Sequence, residues 1–151
     1  MSRADRLVIF TLDGQRYALP LDAVDSAVRA VAVTPLPKAP DVVLGIINVR
    51  GQVLPVISLR RRFRLPERDL EPDDYILLAR TSRRRVALAV DGVEGVLAVG
   101  AGEEIGLHTI LPGTDYVAGV VRRPDGLIII HDLGTCLSLD EEHALAAAMS
   151  G

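Results

Sequence analysis

The sequence predicts a mostly β chain: two packed β-barrel units of about five strands each, closed by a short C-terminal helix. Three observations predict it. Strand-like apolar runs recur around two-residue turn signals, the whole pattern appears twice, and a three-proline segment rules out helix where the first copy crosses over. The copies are expected at roughly 7–68 and 75–137, with the helix over 138–149. Units of about 70 residues have thin cores, so the two are expected to pack as one domain over the 151 residues.

The opening "LVIFTLDGQRYALPL" is two runs around Asp13-Gly14, a hairpin signal. "DAVDSAV" follows, where Asp22 can cap a short helix with Val24, Ala27 and Val28 on one face. "TPLPKAP" reads as a rigid crossing into the hairpin "GIINVRGQVLPVISL". "YILLARTSRRRVALAV" then restarts the pattern after the connection "DLEPDDY". "DGVEGVL" matches "DAVDSAV" at an offset of 69, with Asp91 and Glu94 spaced as a capping box. "GAGEEIGLHTILPG" replaces the proline-rich crossing, and "VAGVVRRPDGLIIIHDL" returns the central hairpin at an offset of 74. Ser138 with Glu141 caps the final helix.

Composition narrows the chemistry. The net charge is −3 and there are five aromatic residues, no Trp among them, which argues against nucleic acid and against direct membrane contact. The single cysteine, Cys136, excludes an internal disulfide and reads as a buried small hydrophobe. His108, His131 and His143 lack partners at metal-ligand spacing, so no metal is expected. "GAGEEIG" lacks the spacing and the strand–helix context of a dinucleotide loop, so no cofactor is expected. No nucleophile–base motif appears, and an enzyme is not expected. No apolar run approaches the ~18 residues of a membrane span, which suggests a cytoplasmic protein. The arginine runs at 60–64 and 80–85 leave one alternative, a small-barrel nucleic-acid binder.

The central hairpin asks a question. Asn48 is the only asparagine and sits in an apolar strand, where a polar side chain needs a partner. Alternation puts Asn48 and Arg50 on one face, with Ile47 and Val49 on the other. A solvated turn is the simpler reading of Arg50-Gly51.

These residues carry a resemblance. "TPLPKAPDVVLGIINVRGQVLPVISLRRRFRLP" closely resembles the signature of the CheW-like family, adaptor proteins of bacterial chemosensory arrays. "VALAVDGVEGVL" resembles its second-half signature and "FTLDGQRYALPLDAV" its opening, so the resemblance spans roughly 7–145. Ser58 stands where the family commonly has an acid, Val49 where Leu is usual, and Val42 where an aromatic is common. The resemblance implies two SH3-like barrel subdomains and no catalytic activity. It implies an adaptor coupling the cytoplasmic tip of a methyl-accepting chemotaxis receptor to a CheA-type histidine kinase, whose regulatory domain it binds. At 151 residues a free-standing adaptor, recruited to membrane receptor arrays through its partners, is expected rather than a kinase. The implied receptor-binding groove comprises Val24, Gly45, Asn48, Arg50, Val93 and Val96, with Arg50 either contacting the receptor or tying the subdomains together.

Overall fold

A computed structural model describes residues 6–99, 104–105 and 117–150, the pair 104–105 by backbone alone. His108 and most of the "GAGEEIGLHTILPG" crossing lie outside the described residues. The first half forms β1 (Arg6–Leu12), β2 (Gln15–Pro20), β3 (Val24–Arg29), β4 (Val43–Val49), β5 (Gln52–Ser58) and the single turn α1 (Leu59–Arg62). The second half forms β6 (Tyr75–Arg80), β7 (Arg85–Val90), β8 (Gly92–Ala98), β9 (Glu104–Ile105), β10 (Val117–Arg123), β11 (Gly126–His131) and α2 (Leu139–Ser150).

The sheets do not divide where the sequence halves do. One sheet runs β8-β1-β2-β11-β10-β9 and the other β3-β6-β7-β5-β4. Each therefore takes a hairpin from one half and consecutive strands from the other, β8 to β11 in the six-stranded sheet and β3 to β5 in the five-stranded one. The offsets of 69 and 74 carry the second order onto the first, strand for strand. They also carry the parallel contact: Val56↔Ala87 in β5–β7 becomes Ile130↔Ala18 in β11–β2. The stretches 7–68 and 75–137 therefore each contribute strands to both sheets. Periodicity locates strands and says nothing about which half supplies a strand's neighbour.

The expected helices after Asp22 and Asp91 are strands instead. A 3-10 turn at Leu21–Ala23 leads into β3, and β8 starts directly after Asp91. Both strands carry a bulge: Val24 pairs with Ala79 but Ser26 with Leu78, and Phe10 pairs with Val93 but Ile9 with Gly95. The skipped residues, Asp25 and Glu94, shift the side-chain alternation by one. Val24 thereby turns to one core and Val28 to another, a four-residue spacing that imitates a helix face.

Among the described residues neither ladder closes on itself. Thr34 bridges Ile46 on β4, and β9 repeats this contact on β10 through Ile105↔Val120. Pro35, Pro37 and Pro40 lack the N–H groups that would extend the first bridge. The sheets are nonetheless SH3-like, five strands of each being related by the repeat.

Three apolar cores follow. Leu7, Ala18, Val121, Ile128 and Ile130 fill the inside of the six-stranded sheet. Their repeat counterparts Ile76, Ala87, Ile47, Leu54 and Val56 fill the other. The opposite sheet faces share the third and largest core, where Phe10, Tyr17 and Leu19 meet Ile57, Leu77 and Leu88. Phe10, Tyr17, Phe63 and His131 form a run of ring contacts at 5.1–5.9 Å through it. Cys136 is buried there, and burial pushes its thiol up to about 12. α2 begins with the expected capping box: Glu141 N–H donates to Ser138 Oγ (3.1 Å) and Ser138 N–H to Glu141 Oε1 (2.8 Å). Its Leu145 is fully buried in the shared core.

Candidate binding surface

β4 and β5 turn through Arg50 (φ 53°) and Gly51 (φ 84°), a two-residue turn with both residues left-handed. Asn48 holds it: its Oδ1 accepts the Gly51 N–H at 3.0 Å. The lone asparagine therefore finds its partner within its own hairpin, and its side chain lies on the exposed outer face. Arg50 does not share that face. The left-handed turn redirects it toward a cavity of about 380 Å³, lined also by Val49, Leu54, Leu78, Asp25 and Arg85. Among the described residues Arg50 makes no ion pair, whereas Asp25 neutralises Arg80 at 3.0 Å. Among the described residues no ion pair joins Arg50 to the six-stranded sheet.

Gly45 is fixed by its neighbours. It is buried at φ 154°, and an added Cβ would lie 2.2 Å from the Thr34 carbonyl oxygen. The Thr34 segment approaches this closely because Thr34 N–H and Ile46 N–H exchange hydrogen bonds at 2.9 and 2.8 Å. Gly45 serves the backbone contact with Thr34.

Val24 and Val93, on the edge strands β3 and β8, both pack on the shared core, one from each sheet. Val96 is 59% exposed and lines a second cavity of about 420 Å³, with Ile9, Arg16, Arg123 and Ile128. This cavity is the repeat counterpart of the first, Ile9 standing for Leu78 and Ile128 for Leu54. The six residues thus distribute over two sheets: Arg50 at one cavity, Val96 at the other, and Val24 with Val93 at the seam. Sequence reasoning missed Asp25, Leu78 and Arg85, although the offset of 69 from Glu94, Ile9 and Arg16 carries that signal.

Much of the arginine content is paired with carboxylates, although Arg64 and Arg83 stay exposed. Arg60 binds Asp13 and Asp91, Arg62 binds Glu141, Arg68 binds Asp74 and Asp91, and Arg84 binds Glu142. Burial raises the pKa of Asp91, but the Asp13 N–H and the guanidiniums of Arg60 and Arg68 outweigh it and hold the carboxyl below its usual range. Guanidiniums neutralised in this way are held by carboxylates of the chain itself rather than left for phosphate. Ser58 also finds a role: its hydroxyl caps α1 by accepting the Arg61 N–H at 3.1 Å. Asp132, its counterpart at the offset of 74, caps the turn after β11 through Gly134 N–H. A serine therefore performs the capping without the charge. No helix among the described residues is long and apolar enough to cross a membrane.

Known proteins match this architecture. A family model described as a CheW-like domain matches residues 6–141. The chemotaxis protein CheW of Treponema pallidum (strain Nichols) is 30% identical over 147 residues, covering 93% of this chain and 86% of that protein. The chemotaxis protein CheW of Thermotoga maritima is 33% identical over 122 residues, covering 81% and 80%. The crystal structure of the scaffolding protein TtCheW from Thermoanaerobacter tengcongensis superposes with a TM-score of 0.82 at 28% identity, over 91% of this chain and 95% of that one. On sequence and fold together, the chain belongs to the CheW-like family, whose members are non-catalytic scaffolds of chemotaxis.

Proposed function

We propose that this chain couples the cytoplasmic tips of chemoreceptors to a CheA-type histidine kinase, binding the kinase through its regulatory domain. One observation carries the receptor half of this reading. Arg50 is a cation without an ion pair among the described residues, set by a rigid turn at the rim of an apolar-floored cavity. An amphipathic helical tip can lay its apolar side on such a surface while Arg50 fixes its register. Val24 and Val93 line the seam between the sheets, and Val96 extends the surface on the second sheet. Gly45 and Asn48 support it from behind, one by close backbone packing and the other by holding the turn. In this reading the protein works in the cytoplasm and reaches the membrane through its partners.

Titration calorimetry against the regulatory domain of a histidine kinase from the same organism tests the kinase half. Saturable one-to-one binding with a Kd on the order of micromolar is expected of a transient signalling contact. Absence of binding to any such domain would refute it. For the receptor half, Arg50→Glu should impair capture by receptor tips and spare kinase binding; equal loss of both would refute the assignment.

A further inference from the structure

The segment between α1 and β6 is attached in an unusual way. Among the described residues, 66–73 makes no backbone-to-backbone hydrogen bond to either sheet; its one such bond is local, from Asp74 N–H to Glu71 O at 2.9 Å. Side chains hold it instead. Arg60 donates to the Pro66 carbonyl at 2.8 Å, Arg61 pairs with Glu67, and Arg68 bridges Asp74 (2.9 Å) and Asp91 (2.7 Å). Leu70 is the segment's one apolar anchor, half-buried against the core of the five-stranded sheet. Between the segment and the body lies a cleft of about 460 Å³, walled on the body side by Val33, Leu44, Ala89 and Val90.

We propose that residues 66–73 form an ion-latched strap, which opens locally while both sheets stay folded and so uncovers this apolar wall. A stretch with few buried apolar contacts and no backbone ties to a sheet sits at the low end of local stability. The Arg68–Asp91 latch is accessible to solvent ions, its side chains being 32% and 24% exposed, while Asp74 is buried beneath Arg68. Strap opening rehydrates Asp74 together with Arg68, so no charge is left stranded in the interior.

Amide hydrogen exchange of the full chain tests this. The Glu71 N–H, bonded to Asp74 Oδ2 at 2.7 Å, and the Asp74 N–H report on the strap; the Leu88 N–H in β7 reports on global unfolding. The two strap amides should exchange well ahead of Leu88. Arg68→Gln should accelerate them about tenfold more, as should raising salt to about 0.5 M. Leu145→Ala lowers global stability without touching the strap, so it should speed Leu88 and leave the strap amides unchanged. Strap amides that exchange at the rate of Leu88, that ignore Arg68→Gln, or that follow Leu145→Ala would overturn the proposal.

Discussion

Arg60 and Asp91 meet at 2.7 Å between the two sheets, Arg60 in the turn after β5 and Asp91 at the crossover from β7 to β8. The same carboxylate takes Arg68 and the Asp13 N–H, so one side chain ties the β1–β2 turn, α1 and the linker together.

Asp91→Asn should lower stability by about 1–3 kcal/mol, the range for removing a charged partner from part-buried hydrogen bonds. The pH dependence has a defined sign. Asp74, Asp91 and Glu141 all have lowered folded-state pKa values. Their contribution is therefore complete above the ordinary carboxylate range and lost as pH falls through the folded values. Thermal melts of the wild type should show Tm falling below about pH 4, and falling less steeply in Asp91→Asn. Parallel curves for the two proteins would contradict this.

Gly45→Ala should destabilise by about 2–4 kcal/mol, because the new methyl meets backbone rather than a movable side chain. Asn48→Ala, removing the bond to Gly51 N–H, should cost only about 0.5–1.5 kcal/mol. Denaturant titrations give both values, and the order Gly45 above Asn48 is the discriminating result.

Arg50→Glu should leave unfolding free energy within about 0.5 kcal/mol of the wild type, since Arg50 is exposed and makes no ion pair among the described residues. A large loss of stability would make Arg50 a structural residue after all.

Cys136 should resist thiol reagents at pH 8, being 1% exposed and almost wholly protonated there. Labelling followed across a denaturant titration should rise with the unfolding transition and not before it.

Much of this was legible in the residues, and the misreadings share one cause. The Asp13-Gly14 and Arg50-Gly51 turns, the Ser138 cap and the burial of Cys136 are local, and local chemistry announced them. The offsets of 69 and 74 located equivalent strands correctly. What failed depended on partners. The bulges at Asp25 and Glu94 exist because of pairing with β6 and β1, and they converted alternation into a helix-like spacing. Asp91, read as a helix cap, became an ion-pair centre because its guanidinium partners lie 31 and 23 residues away.

The exchange of hairpins between halves has a bearing on how the chain is made. β1 and β2 emerge from the ribosome first, yet β2 pairs on one side with β11, the last of the described strands to be synthesised. β3, β4 and β5 likewise wait for β6 and β7. A nascent chain stopped at its midpoint holds five strands with open edges and no complete sheet, a state exposed to association with other chains. Completion of both sheets is tied to the arrival of the second half, and closures over such sequence separations are slow. The five-stranded sheet and the Arg50 cavity can be complete once β7 is made, whereas the second cavity and the seam wait for β8 to β11.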